Sequence, residues 1–144
     1  MEDIIYITLE QAIETHRLTI EKSGGGTLGY RDVEQLGSVL AHIQNDDYYP
    51  EFIDKLTHLF WGSCKFHCFI DGNKRIALSL CTQFLLLNGY VFLASEFMKL
   101  MENISYHVAA GKISKELLRE IIASMFNYDI ENESIKLKIL NAIS

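Results

Sequence analysis

The sequence predicts an all-α fold, and three observations carry that prediction. Apolar residues recur every three or four positions through most of the 144 residues, strict alternation is almost absent, and helix-start and helix-stop residues bracket the periodic segments. With 49% apolar residues, one Pro and no Pro- or Ser-rich linker, the expectation is a single domain over residues 1–144 with one packed core.

Each helix has its own warrant. Thr8 and Gln11 have the form of a capping box, and Leu9, Ala12, Ile13, His16 and Ile20 follow at helical spacing until Ser23 and the glycines stop them. Asp32 suits the N-cap of a second helix with Val33, Leu36, Val39, Leu40 and Ile43 on one face, ended by "QNDDYY". The "GGGTLGYRD" between them is short and compatible with a hairpin. Pro50 suits the first position of a third helix, whose stripe is Ile53, Leu56, Leu59, Phe60 and Ser63. From Asn73, "NKRIALSLCTQFLLLNG" holds no breaker before Gly89, and its apolar residues cover nearly every side, which places that helix at the centre of a bundle. "YVFLA" predicts a short extended segment, after which Ser95 caps a helix carrying Phe97, Leu100, Met101, Ile104 and Val108 up to Gly111. Ser114 opens the next, through Leu117, Leu118, Ile121, Ile122 and Phe126, and Ile135, Ile139, Leu140 and Ile143 predict a terminal helix from Glu133.

Composition excludes several functions. A net charge of −6 without a long Lys/Arg run argues against nucleic acid as a partner, because cationic side chains supply most of that affinity. No apolar run approaches the roughly 18 residues needed to cross a bilayer, and "MEDIIYITLEQA" is acidic where a signal peptide is basic, so a cytoplasmic protein without a membrane partner is expected. Cys64, Cys68 and Cys81 are odd in number, as suits reduced thiols, and Cys64, His67 and Cys68 lack the two separated pairs of a structural zinc site. His16, His42, His58 and His107 sit at or beside apolar helical positions and read as packed or surface residues. Phe60, Trp61, Phe66 and Phe69 read as core.

Two stretches resemble phosphate-binding motifs. Gly24, Gly26 and Gly29 spell G-x-G-x-x-G, but that fingerprint follows a strand and opens a helix, whereas here it follows a helix. It reads as a turn. The other stretch, "FHCFIDGNKRIA" from Phe66 to Ala77, crowds His67, Asp71, Lys74 and Arg75 against the most apolar helix. Two cations in a first turn oppose the positive end of the helix dipole, a cost that a merely structural start would avoid with Asp or Glu. A bound polyphosphate reverses that sign, since exposed N–H groups, the open backbone of Gly72, Lys74 and Arg75 would converge on its oxygens, with Asn73 holding the loop or touching phosphate. Asp71 can give one hard oxygen to Mg²⁺, which completes its shell with phosphates and waters, and His67 can take a proton from an attacking hydroxyl near neutral pH.

"HCFIDGNKR" resembles the H-x-F-x-[DE]-[GA]-N-x-R signature of Fic/Doc proteins, and its lysine with the following "IALSLCTQFLLLNGY" is similar to the death-on-curing, or Doc, branch. Chance would give the fixed residues in roughly one chain in a million of this length. The likeness covers residues 6 to about 126 and leaves the tail, 127–144, without a counterpart. It implies a helical bundle with a small β-hairpin flap, here placed around Thr27, Leu28, Gly29 and Tyr30, that aligns a target peptide by strand addition. It implies His67 as catalytic base, Asp71 as Mg²⁺ ligand, and Gly72, Asn73, Lys74 and Arg75 as phosphate contacts, with ATP as substrate.

Fic enzymes that transfer AMP generally have glycine at the place of Lys74 and a second arginine at that of Leu78. Likeness to Doc therefore implies an inverted nucleotide and phosphoryl transfer to a hydroxyl of a target protein, with a translation factor one such target. AMP transfer on the same fold and a non-catalytic Fic-like binding module are the alternatives. No glutamate here has Ser or Thr four residues before it, so the self-inhibitory [ST]-x-x-x-E-[GN] helix of many Fic proteins is not found, and restraint is expected from an antitoxin chain.

Overall fold

The computed structural model describes residues 3–22, 33–65, 73–129 and 132–144. These form helices α1 (Leu9–Lys22), α2 (Val33–His42), α3 (Phe52–Lys65), α4 (Asn73–Leu87), α5 (Val91–Ala109), α6 (Lys115–Phe126) and α7 (Glu133–Ile143). No strand occurs among the described residues, so the chain is all-α as expected. The expected flap at Thr27, Leu28, Gly29 and Tyr30 lies outside them.

α4 is the axis of the bundle. It packs against α1, α3 and α5, and Ile76, Ala77, Leu78, Leu80, Cys81, Phe84 and Leu85 are all buried. A helix this apolar has no face for water, which is why its neighbours must surround it. Two hydroxyls stitch α1 onto it: Thr15 donates to Gln83 Oε1 at 2.9 Å and Thr19 to Ser79 Oγ at 3.2 Å. α6 lies on α3 and α5, and α7 packs against α6 with no residue fully buried.

The ends follow from local chemistry. Thr8 and Gln11 form the reciprocal capping box, with N–H groups donating to side-chain oxygens at 2.9 and 3.1 Å. Ser114 accepts from the Leu117 N–H at 3.1 Å and opens α6. Three C-termini share one closure, in which the N–H five residues on reaches back to the carbonyl: Tyr90 to Leu85, Lys112 to His107 and Asp129 to Ser124. That turn needs a left-handed residue, supplied by Gly89 (φ 88°) and Gly111 (φ 79°) but, after α6, by Tyr128 (φ 54°).

Three expectations are corrected. "YVFLA" is not extended, for α5 begins at Val91 with Leu93, Ala94 and Phe97 buried, and Ser95 lies inside the helix rather than at its cap. Burial of that stripe against α4 outweighs the strand-like composition. Leu100 faces outward, 39% exposed. Pro50 precedes α3 by two residues, and the cap is made at Glu51, whose carbonyl accepts from Lys55 N–H and whose N–H donates to Asp54 at 3.1 Å.

One charge sits in the interior. Lys55 on α3 is fully buried, its stem among apolar neighbours and its ammonium donating at 2.7 Å to both the Ile43 carbonyl, just past α2, and Asp46. Burial pushes this ammonium down, but hydrogen bonds to Asp46 and Tyr6 more than offset it and the net shift is upward. Cys64 and Cys81 are buried, and burial pushes the Cys81 thiol well up, so it stays protonated and inert.

Candidate functional site

Of the residues expected at the site, α4 itself brings Asn73, Lys74 and Arg75 together as its first three residues. His67, Asp71 and Gly72 lie outside the described residues. The first turn of α4 contains no acid, and Arg75 brings a cation to the positive end of the helix. Ile76, Ala77 and Leu78 follow at once into the core, which anchors that turn against α1, α3 and α5.

Arg75 and Leu78 form one wall of a cavity of about 460 Å³ whose other wall is α5, through Lys99, Glu102, Asn103, Ser105 and Tyr106. Arg75 is half-buried there. Ser105 turns its hydroxyl away, donating to the Glu102 carbonyl at 2.6 Å. The remaining lining pairs two cations with one acid and a phenol, a set suited to an anionic ligand with a flat group. The size matches a small-molecule site.

Sequence reasoning assigned α5 only its apolar stripe and missed this wall. The signal was there: Lys99, Glu102, Asn103 and Tyr106 recur at three- and four-residue spacing, as one polar face of the same helix.

The sequence profile of the Fic/DOC family matches residues 6–85, more than half the chain and the span from the lead-in to α1 almost to the end of α4. The chain belongs to the Fic/DOC family. The protein named Toxin Doc from Mycolicibacterium smegmatis (strain ATCC 700084 / mc(2)155) is 38% identical over 77 residues, which cover 51% of this chain and 58% of that protein. The likeness thus spans little more than half of the relative's length. No helix among the described residues is long and apolar enough to cross a membrane.

Proposed function

We propose that this Fic/DOC chain is a Doc-like toxin that transfers the terminal phosphoryl group of ATP to a hydroxyl of a target protein in the cytoplasm. The observation that carries the reading is the first turn of α4, which contains no acidic residue and from which Arg75 lines the 460 Å³ cavity. Backbone N–H groups at that turn and the Arg75 guanidinium would fix phosphate oxygens, and Gly72 would let the chain approach them closely. Lys74 occupies the motif position where AMP-transferring relatives have glycine, and its bulk favours the inverted nucleotide.

His67 would take the proton of the target hydroxyl as the oxygen attacks. The described residues contain no group of three or more His, Cys, Asp or Glu that could cage a metal. Asp71 would hold Mg²⁺ with one carboxylate while phosphates and waters complete the shell. Bound there, Mg²⁺ would neutralise charge developing on the phosphate oxygens. Tyr106 and Asn103 on α5 would face the rest of the nucleotide, the ring offering a stacking surface and the amide a hydrogen-bonding edge. An antitoxin chain, and a target protein bound along Thr27, Leu28, Gly29 and Tyr30, would be its partners.

The test is ATP labelled separately at its terminal and inner phosphates, incubated with the chain and a bacterial extract. Transfer of the terminal label alone, lost in His67→Ala and Arg75→Ala, is the expected result. Transfer of the inner label would replace phosphorylation by AMP transfer. Full toxicity of His67→Ala in cells, with no label moved, would replace catalysis by binding.

A further inference from the structure

A second cluster lies away from the α4 turn, where α6 begins against α3. Lys115 is the first residue of α6, and its Nζ stands 2.8 Å from Nδ1 of His58 on α3. His58 is 93% buried by its 7% exposure, stacks on Tyr49 with ring centroids 4.7 Å apart, and has the His42 ring 6.4 Å away on α2. The Lys115 ammonium also lies over the Tyr49 ring at 5.5 Å.

Two features of this cluster are unusual for a lysine. No carboxylate pairs with Lys115 among the described residues, whereas the neighbouring Arg119 has Asp54 at 2.6 Å and Glu51 at 3.7 Å. Placement at the first position of α6 also sets its charge against the positive end of that helix. Lys115 is nevertheless only partly buried, and it lines a cavity of about 240 Å³ with Tyr48, Tyr49, Asp54, Thr57, Glu116 and Arg119.

We propose that Lys115 is a covalent modification site, its amine held by His58 for acylation by a small activated acyl donor of the acyl phosphate class. Neutral Lys115 would donate one N–H to His58 Nδ1, which points its lone pair toward the open cavity. The lone pair forms the amide C–N bond with the acyl carbon and the C–O bond to phosphate breaks. The displaced proton passes through Nδ1 to the departing phosphate, which leaves as inorganic phosphate. Acylation removes the charge from the start of α6 and with it the cation facing His58.

The electrostatics agree. Burial first, then the Lys115 charge, then His42, push His58 down to about 4, so the imidazole is neutral and able to accept. With Nδ1 accepting, the ring proton sits on Nε2, which has no partner. Burial pushes the Lys115 amine down, opposed by the nearby Glu116 carboxylate. The charged and titratable groups facing the pair are Asp54 and His58 on α3, Tyr48 and Tyr49 before it, His42 on α2, and Glu116 and Arg119 on α6. A desolvated lysine beside a neutral acceptor is the usual arrangement for an activated amine.

Acetyl phosphate tests this, with acetylation followed lysine by lysine by mass spectrometry near neutral pH. In the folded chain Lys115 should acetylate at least about tenfold faster than the exposed Lys99 and Lys112, because a larger share of its amine is neutral. Unfolding in urea should erase the preference, and buried Lys55 should react only then. Equal rates for the three in the folded chain, or a Lys115 preference that survives urea, would overturn the assignment.

Discussion

Replacing Lys55 by methionine sets two large terms against each other. Methionine keeps the unbranched stem, so little cavity opens. The substitution strands the Ile43 carbonyl without its 2.7 Å donor, and a buried unsatisfied carbonyl costs about 1–3 kcal/mol. Asp46 is 80% exposed, so its carboxylate returns to water at little cost. Against this, removing an ammonium from a dry interior recovers its desolvation penalty, which often makes such swaps neutral. With a second charge-assisted bond lost, at 2.7 Å to Asp46, the balance is a destabilisation of about 2 kcal/mol, or a Tm lower by about 4–8 °C for a chain of this size. Lys55→Ala adds the missing methylenes at about 0.8 kcal/mol each and should lose about 4 kcal/mol in all.

Urea denaturation measures both, and its pH dependence checks the cause. The Lys55 pKa is raised in the folded state, so its contribution is fully present below the ordinary value of 10.5 and disappears as pH rises through the folded value. The gap between wild type and Lys55→Met should therefore be constant near neutrality and shrink only above pH 10.5. A methionine variant as stable as wild type at neutral pH would show that desolvation, not the stranded carbonyl, dominates.

Three further outcomes are expected. His58 is depressed from 6.5 to about 4, so the unfolded chain binds the extra proton and stability falls as pH drops through that window, by up to about 3 kcal/mol; His58→Leu should flatten the slope in acid urea titrations. Tyr128→Gly should raise stability by about 0.5–1 kcal/mol, because a left-handed tyrosine that is 82% exposed carries strain without packing, and a Tyr128→Ala variant with no such gain serves as the control. Asn88 accepts from the Ile5 N–H and donates to the Ile5 and Phe84 carbonyls, each at 2.9 Å, so Asn88→Ala should cost about 1 kcal/mol and speed hydrogen exchange at Ile5 ahead of the core.

Helix ends that depend on local hydrogen bonding were legible residue by residue, as at Thr8, Gln11, Gly89, Gly111 and Ser114. The start of α5 was not, because Tyr90 caps it without a side-chain bond and its aromatic and β-branched opening looks like strand until the burial of Leu93 and Ala94 is known. Lys55 was equally silent, for an acceptor supplied by a carbonyl twelve residues away leaves no mark in spacing. His67, Asp71 and Gly72 lie outside the described residues, so the roles expected of them rest on the chemistry of the motif alone. The α5 wall needed the fold, since only packing on α4 brings Tyr106 opposite Arg75.

The family match stops at residue 85, inside α4, while Lys99, Asn103 and Tyr106 stand on α5 beyond it. The end of the matched segment therefore falls between the two walls of the cleft. Substitutions along α5 can alter the shape and charge of that cleft while Arg75 and Leu78 opposite stay untouched. One wall of the cleft can thus change one side chain at a time while the core helix that carries the other wall is kept.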